Sequence, residues 1–232
     1  MKLLLLNEVL PDRDAQIILR AAREHVPKCE AQWDSMFESI ELQNWLDPKV
    51  AYVQKGDEVP IYITERNAIA GDAGYHDWDS INKVPYAYVS PKNSHFTFGK
   101  IHYPIIVKAH MVGLLFIKQR IFGKLAIQSQ GLITAALHEI FELIADPELN
   151  RGSGNYKNTT KDSKGRSWMI ENCDPIARNF TRWTDPVTLI DCVIPDFLGP
   201  DFYTLGKPGA FTMGRGGYAW EVKQNGTKSK IL

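Results

Sequence analysis

The sequence predicts an α+β fold, in which strands and helices are segregated rather than regularly alternating. Three observations carry this reading. Short apolar or alternating runs of strand length occupy much of residues 1–90, a helix with apolar residues on nearly every side fills 129–147, and Gly, Pro, Asp and Asn dominate after residue 150. A chain of 232 residues can close around a single core, so one domain spanning 1–232 is expected.

The opening MKLLLLNEVL has an apolar run too short for a secretion signal and cut off by Asn7 and Glu8, so it reads as a first strand. Pro11 and Asp12 then introduce a helix to about Glu30, with Ile17, Ile18, Ala21, Ala22 and Val26 on its inner face and Pro27 perturbing or ending it. AYVQKG and VPIYITE read as two strands joined by a turn at Gly56 and Asp57. AGDAGYHDWDSINKVPYAYVS reads as a hairpin whose second strand alternates Tyr86 and Tyr88. Residues 101–130 fit helix or strand equally well. SQGLITAALHEIFELIADP is a buried central helix that stops before Pro147, because the residue preceding a proline is pushed out of helical geometry. Beyond it, only SWMIE and VTLIDCVIP read as strands in a loop-dominated stretch.

Composition excludes more than it proposes. The 27 basic and 27 acidic residues cancel, so no bulk field calls for nucleic acid or an anionic membrane. The apolar stretch from Ile105 to Phe122 is interrupted by Lys108, His110, Lys118 and Arg120 before a span is complete. Three scattered cysteines, Cys29, Cys173 and Cys192, form no disulfide framework, and a reducing, cytoplasmic setting fits them. No GxGxxG, P-loop or G-x-S-x-G element is present.

The chemistry concentrates in LHEIFELIADP, residues 137–147. Positions i and i+4 share one helix face, so His138 and Glu142 can reach a single ion while Glu139 stands beside them. Thr134, His138 and Glu142 make a polar stripe through an apolar helix, and buried carboxylates need compensation that a divalent cation supplies. H-E-x-x-E alone also fits a charged stripe facing solvent.

HEIFELIADPELN, with ENCDPI at 171–176, VIPDF at 193–197 and GRGGY at 214–218, resembles a group of small zincin-like metallopeptidase-type proteins of bacteria and phages. These carry a H-E-x-x-E-x-x-x-D-P helix and a later E-x-x-D-P element. GYHD at 74–77, PYAYV at 85–89 and REHVPKCEAQW at 23–33 are similar to the same group. The resemblance implies a zincin-like α+β fold, a twisted mixed sheet over a central metal-site helix, and one Zn2+ ion. It implies His138, Glu142 and Glu171 as metal ligands, with Asp174 the alternative third ligand. Asp146 is expected to cap or hydrogen-bond at the helix end. Glu142 stands where most zincins have histidine, and a second carboxylate lowers the Lewis acidity of the ion.

In this reading Glu139 is the general base, His76 a proton donor facing the cleft, and Tyr218 an oxyanion-stabilising phenol. The alternatives are a turn histidine bonded to Asp77 or Asp79, and an aromatic packed under a loop. Cys173 approaches the metal or is simply a buried thiol. Two functions compete: zinc-dependent hydrolysis of peptide or other amide bonds, with a peptide or protein substrate extended along PYAYV as an edge strand, and a non-catalytic role in a larger assembly such as a phage particle. The second would make the chain virion-associated and give it assembly partners.

Overall fold

The computed structural model describes residues 1–35, 37–44, 57–65, 73–79, 81–91, 131–147, 159–214 and 216–232. The strand expected at 51–56 and the ambiguous region 101–130 lie outside these residues. Among the described residues the chain is α+β, built on a five-stranded mixed sheet and two long helices.

The sheet consists of β1 (Lys2–Asn7), β2 (Ser39–Asn44), β3 (Glu58–Ile63), β4 (Gly74–Asp79) and β5 (Val84–Val89), in the order β2-β1-β3-β5-β4. β1 pairs in parallel with β2 and β3, and β3 with β5. Among the described strands β4 alone runs antiparallel and lies at the edge, because it forms a tight hairpin with β5. Asp79 closes that hairpin by accepting hydrogen bonds from the backbone of Ile81 and Asn82 and from the Asn82 side chain. PYAYV therefore lies in an inner strand, and the edge expected there belongs to GYHDWD. β2 carried too few large apolar residues to be read in advance.

Alternation along the strands sorts the side chains onto two faces. Leu3, Leu5, Val59, Ile61, Ile63, Ala87 and Val89 form one core with residues of helices α1 (Asp12–Trp33) and α2 (Gly131–Ala145), so both helices pack on that face. Helix α1 runs past Pro27 to Trp33, a correction to the expected stop. Pro27 is on the solvent side, where the Arg23 carbonyl it strands can be hydrated, while Val26, Cys29 and Glu30 are buried on the inner side. Burial of that face outweighs one lost hydrogen bond.

The C-terminal part is richer in strands than the sequence suggested. β6 (Thr159–Lys161), β7 (Ser167–Met169), β10 (Ala219–Val222) and β11 (Lys228–Ile231) form a four-stranded sheet. β8 (Phe180–Thr184) and β9 (Asp191–Pro195) form a separate hairpin. Of these, β7 and β9 fall within SWMIE and VTLIDCVIP. β9 docks on α2, where the Thr134 hydroxyl donates to the Val193 carbonyl at 2.7 Å. Thr134 thus serves as an anchor and leaves His138 and Glu142 as the chemical part of the stripe. Among the described residues, no helix is long and apolar enough to cross a membrane.

Candidate metal centre

Helix α2 presents three adjacent functional side chains toward β4 and toward the turn that follows β7. Helical spacing puts His138 and Glu142 one turn apart, and their Nε2 and Oε1 atoms lie 3.1 Å from each other. His138 Nε2 is also 3.4 Å from Asp174 Oδ1. Glu142, Glu171 and Asp174 each offer an oxygen within 4.8 Å of the others, and His138, Glu142 and Cys173 offer a second such trio. The helix and the 171–174 segment thus come together, and Asp174 of that segment reaches His138.

This convergence is largely dry. Glu142, Glu171 and Asp174 are each no more than 3% exposed, whereas the His138 side chain keeps 22%. Glu142 Oε1 and Asp174 Oδ1 have no aligned hydrogen-bond donor among the described residues. Buried carboxylate oxygens without donors are costly, so the arrangement suits a cation that takes their place. Burial pushes Glu142 up to about 7, against the attraction of His138. For His138 burial acts downward, but the carboxylates of Glu142 and Asp174 outweigh it and raise the imidazole well above its ordinary value.

The turn bearing Glu171 and Asp174 is fixed from several sides. The Tyr203 hydroxyl donates to the Glu171 carbonyl at 2.8 Å. Asn172, fully buried, offers its amide to Cys29 Sγ on α1 and accepts from Cys173 Sγ, both at 3.5 Å. Asp174–Ile176 then form one 3-10 turn. Gly214 and the segment 216–218 fold over it: the Gly214 amide donates to the Pro175 carbonyl at 2.9 Å and the Tyr218 amide to the Asp174 carbonyl at 3.0 Å. A Cβ at Gly217 would stand 1.8 Å from the Pro175 oxygen, so only glycine permits this approach. Neither Asn172 nor Tyr203 was singled out from sequence. They act on the turn's backbone and leave no motif.

Tyr218 comes to the centre, half-buried beside Asp174. Burial and then the Asp174 and Glu142 carboxylates push its phenol far above the ordinary range, so it stays protonated and can donate. Cys173 is buried with its thiol directed to the His138 carbonyl and Asn172. Burial, reinforced by Glu142, raises that thiol well above its usual value.

His76 does not sit in a turn; it is the third residue of β4, 1% exposed, facing the helix rather than an open cleft. Its Nδ1 is 3.4 Å from Glu139 Oε2 and 3.7 Å from Glu142 Oε2. Glu139 passes close under β4, where a Cβ added to Gly74 would stand 2.7 Å from its Cγ and 2.8 Å from its Oε1. Asp146 is buried at the helix end, its amide donating to the Glu142 carbonyl at 2.8 Å. Neither protein-family models, nor curated proteins, nor solved structures give a match to this chain.

Proposed function

We propose that this chain is a zincin-like, zinc-dependent hydrolase of peptide or other amide bonds. The observation that carries the reading is the convergence of His138, Glu142, Glu171 and Asp174 on one buried spot, where Glu142 Oε1 and Asp174 Oδ1 lie near His138 Nε2 without a well-aligned hydrogen bond. His138 and Glu142 would hold the ion from α2, with Glu171 or Asp174 of the following turn as the third ligand and the fourth position left for water. One nitrogen with carboxylate oxygens is a donor set that zinc accepts. When bound, the ion supplies Lewis acidity, which polarises a carbonyl and acidifies water.

The chain's own groups account for the remaining chemistry. Glu139 lies next to the carboxylate cluster without belonging to the trio of Glu142, Glu171 and Asp174, so it is placed to accept the proton of an attacking water. His76 faces the Oε2 atom of Glu139 and orients that carboxylate. Tyr218, a protonated phenol beside Asp174, is the donor toward a developing oxyanion. β4 is the antiparallel edge strand next to Glu139, and an extended peptide or protein substrate would lie along it.

Replacing Glu139 by Gln tests this assignment, since the amide keeps size and hydrogen bonding but cannot take a proton. On a panel of unstructured proteins and peptide libraries, hydrolysis should fall by about two to four orders of magnitude, with the ion at the His138 pocket retained. Unchanged cleavage by the metal-loaded variant would remove Glu139 from the mechanism.

One observation favours the non-catalytic alternative, a metal-stabilised component of a larger assembly such as a phage particle. Glu142, Glu171 and Asp174 lie close enough for all three to ligate with His138, and a tetrahedral ion so held has no open position. A metal-loaded wild type that cleaves nothing on that panel would favour this reading.

A further inference from the structure

We propose that the centre binds a second divalent cation in a pocket formed by His76, Glu139 and Glu142, with Glu142 bridging the two ions. This rests on the metal reading of the first pocket and extends it. The three residues each offer a ligand atom within 4.8 Å of the others, and all three are buried. The two oxygens of Glu142 face different ways: Oε1 lies 3.1 Å from His138 Nε2, and Oε2 lies 3.7 Å from His76 Nδ1. A carboxylate held between two imidazoles in this way is disposed to bridge. His76 is 1% exposed, and its other ring nitrogen has no hydrogen-bond partner among the described residues.

Charge carries the argument further. Glu139, Glu142, Glu171 and Asp174 are all buried and would together bring four negative charges to the cluster when ionised. A single divalent ion leaves half of that charge uncompensated in a site that excludes water, where unpaired charge is expensive. A second ion balances it. Two-ion hydrolytic centres place their metals about 3.5–4 Å apart, a separation one carboxylate spans. Glu139 would join through Oε2, the oxygen that faces His76.

The test is metal stoichiometry of the full chain after equilibration with excess Mn2+ or Zn2+ and removal of loosely held ions. The wild type should retain about two equivalents and His76→Ala about one, while a His138→Ala and Asp174→Ala double variant should lose the first site. Far-ultraviolet circular dichroism checks that the variants are folded. Electron paramagnetic resonance of the Mn2+-saturated wild type needs no substitution, and a spin-coupled signal is expected from carboxylate-bridged ions. One equivalent in the wild type, unchanged in His76→Ala and with only uncoupled Mn2+, would overturn the second pocket while leaving the first intact. No retained ion at all would overturn the metal reading itself.

Discussion

Glu142 belongs to every trio of ligating atoms at the centre, so the ligand question turns on which partners from the 171–174 turn matter. Asp174 Oδ1 lies 3.4 Å from His138 Nε2, and Asp174 and Glu171 each offer an oxygen near Glu142. With three protein ligands and a fourth position for water, only one of the two is indispensable to the ion. Competition against a zinc chelator should therefore show a loss greater than the roughly 10–100-fold typical of a residue that only supports a ligand for alanine at one position, and a smaller loss at the other. Large losses at both would make the ion four-coordinate and favour the non-catalytic reading. The i, i+4 rule made His138, Glu139 and Glu142 legible in the sequence, since helical geometry fixes who faces whom. Asp174 and Glu171 were legible only as a downstream motif. His76 was legible as part of a hairpin ahead of a polar turn, but that its ring is buried against Glu139 was not, because pairing with β5 and packing on α2 decide it.

The elements around the centre matter mainly because they press one turn into place. GRGGY covers the Asp174–Ile176 turn, and its tightest point is Gly217 against the Pro175 carbonyl. A methyl group there cannot be accommodated without moving backbone. Gly217→Ala should cost about 1–3 kcal/mol of stability, as overpacking does, measured by denaturant unfolding. It should also lower metal affinity by roughly 10–100-fold, because Asp174 moves with the turn. Stability and affinity both unchanged would mean that GRGGY does not hold the turn. From sequence, GRGGY was legible as a Gly-rich motif around Tyr218, without what its glycines pack against. The edge strand was assigned to PYAYV because its alternating tyrosines read most clearly as a strand, yet strand order is set by which segments pair, and that is not local information.

At the scale of the whole molecule, the C-terminal hairpin is tied to helix α1 by a buried ionic contact. Arg20 donates from Nε to Asp185 Oδ1 at 2.6 Å and from a terminal nitrogen to Oδ2 at 3.0 Å, and the Asp185 side chain is fully buried. Nearby, the Trp183 indole donates to Glu24 at 2.6 Å. Burial acts to raise Asp185, but hydrogen bonds from Arg20 and Thr188 win and hold it below its ordinary 3.8. A carboxyl group lowered in the folded state contributes stability that is present above the unfolded value and is lost as pH falls through the folded one. Acid should therefore weaken the fold progressively below about pH 4, and Arg20→Ala should flatten that dependence. The same variant should lose about 3 kcal/mol or more at neutral pH, because it strands a buried charge. An unchanged acid slope would show that the contact does not govern the docking. The α+β class was evident from residue patterns, but this link joins positions far apart in the chain and has no local signature.

If the buried cluster at His138, Glu142, Glu171 and Asp174 holds a divalent metal, chelator-treated protein titrated with zinc in a calorimeter takes it up saturably. Thermal unfolding of the same samples should show a rise in Tm of about 5–10 °C at a hundredfold excess over Kd, since binding there stabilises by about 2.7 kcal/mol. Glu142→Ala should abolish both effects. No uptake and no change in Tm with zinc, in a protein shown to be folded, would contradict a metal site there.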